Sequence, residues 1–199
     1  MLLDNYSIGL LLFAVSMVAT PGPANMILLN AGSQFGFKKA IPFVFGIILS
    51  KQLIIWPIGF GILTFFELFP NFVNFIKFLS CTYIIWLAWN LSNFKINDNK
   101  ELEKPPSFFH GLPVHPTNPK AWAMVSVGFS NYTNPNESLF ISTLILATIF
   151  IIIQFIFHNL WCFFGVQLKK IFQNTKYEIW LMRFLSLLML GSLVLLFLK

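Results

Sequence analysis

Apolar residues in this chain come in long blocks separated by short polar turns. They show neither the two-residue alternation of a half-buried strand nor the narrow stripe of a soluble helix. Most blocks approach the roughly 20 residues that a helix needs to cross a bilayer core. They predict spans at residues 6–34, 40–63, 72–91, 139–166 and 179–198, with a short fourth span at 119–132. The longest polar stretch, 93–106, carries Lys95, Asp98, Lys100, Glu101, Glu103 and Lys104, and reads as a solvated loop. It divides one membrane domain, 1–199, into halves at 1–92 and 107–199. Residues 107–117 are only moderately apolar and fit a half-inserted segment. Two related halves of three spans each must lie in opposite orientations. The expected fold is therefore an all-α polytopic membrane protein, six transmembrane helices arranged as two inverted three-helix halves, with helices 1 and 4 broken.

The interruptions carry the most information. Thr20-Pro21-Gly22-Pro23-Ala24-Asn25 lies inside the first apolar block. Pro21 and Pro23 have no N–H, and each biases its predecessor away from the α region, so no continuous helix passes through. Backbone groups freed at membrane depth cannot face lipid; they must be buried in protein or line a polar cavity. One such break is most simply a packing kink. A second break, His115-Pro116-Thr117-Asn118-Pro119-Lys120, occupies a corresponding place in the other half. Paired broken segments in two halves point to the central site of a transporter.

Composition supports a membrane protein: 57% of residues are hydrophobic and 10% charged. The net charge of +6 does not indicate a nucleic-acid partner, because the basic residues are scattered through the segments between spans. Lys38, Lys39, Lys95, Lys100, Lys104, Lys169, Lys170 and Lys176 fall on one side of a six-span topology. Asp4, Glu67, Glu137 and Lys199 fall on the other. The basic side is expected to be cytoplasmic, with both termini periplasmic. Cys81 and Cys162 lie in apolar runs and read as small buried hydrophobes, with no spacing for a disulfide or a metal. The N-terminus does not read as a cleaved signal peptide, since the apolar run continues past Pro23. No nucleophile–base pair, metal cluster or phosphate loop indicates an enzyme, and no cofactor is implied.

Thr20-Pro21-Gly22-Pro23 with Asn25, followed by Phe108, Gly111 and Asn118-Pro119-Lys120-Ala121-Trp122, resembles the LysE/RhtB family of bacterial amino-acid exporters. Weaker echoes are Gly46, Tyr83-Ile84 with Trp86-Leu87, and Trp161 with Gly165; together the resemblance covers nearly the full length. It implies a multi-pass inner-membrane exporter of amino acids or related small zwitterions, driven by the proton-motive force. The implied partners are an amino-acid-like substrate, protons and the lipid bilayer. The oligomeric state, including a homo-oligomer, is left open.

A zwitterion needs partners for a carboxylate and an ammonium group. Helices starting at Pro23 and Pro119 would offer free N–H groups and a positive dipole end to the carboxylate. Lys120, in the first turn of span four, would add a full charge, unless it is an interfacial lysine reaching for water. Asn25 and Asn118, with the carbonyls of the unwound turns, would receive the ammonium, unless the asparagines merely cap helices. The candidate substrate site is thus Thr20, Pro21, Gly22, Pro23, Asn25, Asn118, Pro119 and Lys120.

Span two departs from the family. Many members carry a glycine and an acid four residues after the glycine matching Gly46, whereas this chain has Ser50-Lys51. No Asp or Glu lies deep in any span, so the coupling candidates are Lys51 and His158, the latter also readable as a core histidine. Lys51 sits near the middle of span two. It would either titrate or act as a fixed cation replacing the acid, or it would pair with a more anionic substrate. A non-transporting membrane subunit or sensor and a passive channel are the alternatives on the same fold.

Overall fold

In a computed structural model of the chain, residues 5–62, 68, 70–93, 104–172, 175 and 177–194 are described. Residues 94–103 of the charged loop, together with Asp4, Glu67, Lys176 and Lys199, lie outside them.

The described residues are helical, with no strand among them. The first apolar block forms α1 (Asn5–Ala19) and α2 (Pro23–Phe35), bent by 53° at the proline break. Gly36 then adopts φ 79°, a left-handed value that glycine tolerates, and turns the chain into α3 (Phe37–Ser50). α4 (Gln52–Gly59) continues it across Lys51, whose φ/ψ of −68°/−27° remain helical. The expected span reached residue 63. The helix stops at Gly59 instead, and Gly61 follows with φ 92°.

α5 (Pro70–Ser92) matches the third expected span, and a short helix α6 (Phe108–Gly111) leads through turns into α7 (Pro119–Tyr132). α7 coincides with the short fourth span. Its 14 residues extend only about 21 Å, so it cannot cross a bilayer by itself. α8 (Leu139–Phe172) runs beyond the expected end at 166, because Lys169 and Lys170 complement the carbonyl end of the helix dipole. α9 (Glu178–Val194) closes the described chain.

Residues 37–59 and 139–172 are long and apolar enough to cross a membrane, and the bent α1–α2 pair makes a third if it is one broken span. Their outward faces are apolar too: Leu53, Ile152, Phe155 and Phe164 are exposed, as are Trp86 and Trp89 on α5. An aqueous surface would not carry so continuous an apolar face, whereas lipid accommodates it.

α8 is the central post, packed against α1, α2, α3, α4 and α7. Small residues allow the closest approaches. A Cβ on Gly32 would strike the backbone of Cys162, and one on Gly165 the backbone of Leu29, so α2 and α8 cross in near-backbone contact. Gly46 and Gly111 do the same between α3 and α6. One apolar core joins Leu10 and Ala14 to Ile54, Ile55, Val125, Leu146 and Phe150. A second links α2 and α3 through Leu28, Val44 and Ile47, and takes in Cys162, which is a free, buried thiol as expected. A third joins Met26 and Leu29 to α5 and α9. Within residues 20–22 and 112–118, Gly22, Val114, His115 and Asn118 are buried, while Thr20, Pro113 and Thr117 remain exposed.

Candidate functional site

The first break is held open by one side chain. Asn25 is buried in the first turn of α2, and its amide donates to the carbonyls of Val18 and Thr20, both at 2.8 Å. Those are carbonyls that the interrupted α1 leaves without helical partners. The Thr20 hydroxyl turns back to the Met17 carbonyl at 2.9 Å. Gly22 precedes α2 in an extended conformation and supplies no side-chain cap. The start of α2 therefore keeps backbone N–H groups and a positive dipole end without a capping side chain.

The second break is organised differently. Asn118 caps α7 by accepting from the Lys120 backbone N–H at 3.0 Å. The Trp122 indole donates to the Pro116 carbonyl at 2.9 Å, and the Thr117 hydroxyl donates to Pro113 at 2.8 Å. With its start fixed, α7 directs Lys120 across to the first break. The Lys120 ammonium donates to the Thr20 hydroxyl at 2.9 Å and lies 3.4 Å from the Pro21 carbonyl. A Cβ on Gly22 would sit 3.2 Å from the same ammonium, so the glycine leaves room for it.

Thr20, Gly22, Asn25, Asn118 and Lys120 thus line one cavity with Lys51 and His158. Pro21 contributes its carbonyl, while Pro23 and Pro119 begin the two helices. The two breaks and both coupling candidates meet. The cavity is small in this conformation, with room for about one water.

Lys51 is 1% exposed. Its ammonium lies 3.0 Å from the Met124 sulfur and 4.8 Å from the centre of the Phe150 ring. The sulfur is a weak acceptor and the ring a diffuse one, so much of the hydrogen-bonding capacity of the ammonium is unspent. His158 stacks on His115 with ring centres 5.6 Å apart, and His115 Nε2 lies 2.7 Å from the Gln154 amide nitrogen. Nδ1 of both histidines lacks a hydrogen-bond partner among the described residues.

His115, Gln154, Met124 and Phe150 were not among the site residues expected from sequence. The signal was a spacing of four. Phe150, Gln154 and His158 share one face of α8, and Lys120 and Met124 share one face of α7. No group of three or more potential metal ligands occurs among the described residues. Chemically the cavity is a cationic pocket with soft and neutral polar walls, suited to an anionic group. Among the described residues, none that lines it is an acid.

A cysteine/O-acetylserine efflux protein of Salmonella paratyphi A is 27% identical to this chain over 90 residues, covering 45% of this chain and 46% of the relative. The same-named protein of Salmonella typhimurium is 26% identical over the same length. The chain spans about half the length of the curated relatives it matches. No solved structure matches it. The model of the LysE type translocators matches residues 15–199, which takes in both breaks and every helix from α2 onward, and the chain belongs to that family.

Proposed function

We propose that this protein is a secondary-active exporter of amino acids or related small zwitterions across a bacterial inner membrane, driven by the proton-motive force. That it is a multi-pass membrane transporter and not an enzyme follows from its family and its apolar helices. The observation that carries the finer reading is the Lys120 ammonium, which bridges the two breaks inside a cavity with no acidic lining residue among the described residues.

A substrate carboxylate takes the place of the Thr20 hydroxyl at Lys120, with the uncapped start of α2 adding its dipole. The Pro21 carbonyl and the Asn25 side-chain oxygen receive the ammonium. Asn118 serves by fixing the start of α7. Relatives named for cysteine and O-acetylserine efflux agree with a small amino-acid cargo. Proton coupling falls to Lys51 and His158, two of the four titratable groups that line the same cavity with Lys120 and His115.

The proposal includes a single six-span domain with two inverted halves. Packing supports that exchange: α1 against α8 has its counterpart in α6 against α3, and α2 against α8 in α7 against α4. The α3–α8 and α5–α9 contacts map onto themselves. A reporter active only outside the cytoplasm should work when fused after Lys199 and fail within residues 97–104. The opposite pattern would overturn the topology.

The function itself is tested by counterflow in proteoliposomes across a panel of amino acids. Trans-stimulated exchange of a defined substrate is expected. Downhill leak without trans-stimulation would mark a passive channel, and no flux of any kind a non-transporting subunit.

A further inference from the structure

Two lysines, Lys120 and Lys51, face the cavity, whereas a neutral zwitterion brings a single carboxylate to pair with them. Lys51 enters from the α3–α4 junction and its ammonium rests beside Met124. Met124 lies one helical turn, about 6 Å, beyond Lys120 on the same face of α7. The two cations therefore occupy neighbouring levels of one cavity. Among the described residues no acid lines the cavity to supply a counter-charge.

A buried ammonium whose contacts among the described residues are a thioether and a ring is costly, and an anion sharing its site offsets part of that cost. The remaining titratable groups at the cavity, His115 and His158, add no negative charge. Their unpartnered ring nitrogens leave further hydrogen-bonding capacity around Lys51.

We infer that the site takes substrates with two acidic groups, the acidic amino acids, with one carboxylate on Lys120 and the second on Lys51. The inference rests on the exporter reading and narrows its substrate class. The second carboxylate displaces the Met124 sulfur from Lys51, exchanging a weak acceptor for a charge-assisted hydrogen bond. A cationic amino acid would bring a like charge into the same space and be rejected.

The test is thermal stabilisation of the detergent-purified chain titrated with aspartate, glutamate, serine and lysine, combined with counterflow of the same compounds. Aspartate or glutamate should bind about tenfold or more tightly than serine, as expected for one added charge-assisted bond, and lysine should not bind. In Lys51→Met, an unbranched and uncharged side chain one atom shorter, the preference should vanish; Lys51→Gln provides a second, polar replacement. Serine or lysine binding as well as aspartate, a preference that survives both substitutions, or no stabilisation by either acidic compound would each overturn the inference. Exchange of serine without aspartate would sink it and leave the exporter reading intact. Aspartate binding without exchange of any compound would sink the exporter reading and leave the two-carboxylate site standing.

Discussion

At the first break an asparagine reaches backward, and at the second an asparagine holds the chain ahead of it. Asn25 donates to the carbonyls of Val18 and Thr20 and so mends the end of the interrupted α1. Asn118 accepts from the Lys120 backbone and fixes the beginning of α7. Similar residues, proline beside asparagine, thus yield a frame on one side and an aimed charge on the other. The first break offers carbonyls and an uncapped helix start; the second delivers the ammonium that fills the gap. In the proposed site neither break suffices alone, since the helix dipole comes from α2 and the ammonium from α7.

The asymmetry can be broken at either asparagine. Asn25→Ala removes one buried and one partly buried hydrogen bond and leaves the Val18 and Thr20 carbonyls without that donor. It should lower stability by about 2–3 kcal/mol, read as a fall in the thermal midpoint and in membrane abundance. Asn118→Ala removes one cap and should cost about 1 kcal/mol. It should reduce transport more than abundance, because it loosens the helix that aims Lys120. Equal losses of stability in the two variants would mean that the breaks are equivalent.

Gly22→Ala sharpens the comparison with the smallest change. Gly22 has an extended φ of −168°, so alanine is tolerated by the backbone. Its Cβ would press on the Lys120 ammonium at 3.2 Å. Stability should stay within about 0.5 kcal/mol of the parent while substrate affinity falls, measured by ligand-dependent thermal shift. An unchanged affinity would place the ammonium away from Gly22.

Much of this frame was legible in the sequence. Proline removes a donor wherever it stands, so the break at 20–23 and the starts of α2 and α7 could be read directly. Their meeting could not, because it depends on how far α1, α2 and α7 lean on α8. The glycines at 32 and 165 that set the α2–α8 crossing carry no sign of their partners. Lys51 was visible as an anomaly in an apolar run, but its neighbours Met124 and Phe150 looked like ordinary core. The end of α8 was misjudged because apolarity stops before the helix does. Basic residues that leave the hydrophobic pattern still suit the last turn.

The central claim is that Lys120, carried by the second break, completes the first as an anion site. Counterflow with Lys120→Ala, normalised to the amount of protein in the membrane, tests it most directly. The account predicts loss of exchange at near-normal abundance, with Lys120→Arg restoring only part of it, since a planar fork does not fit where a compact ammonium sits. Exchange by Lys120→Ala at the parent rate would make Lys120 a structural tie between the breaks and contradict the account.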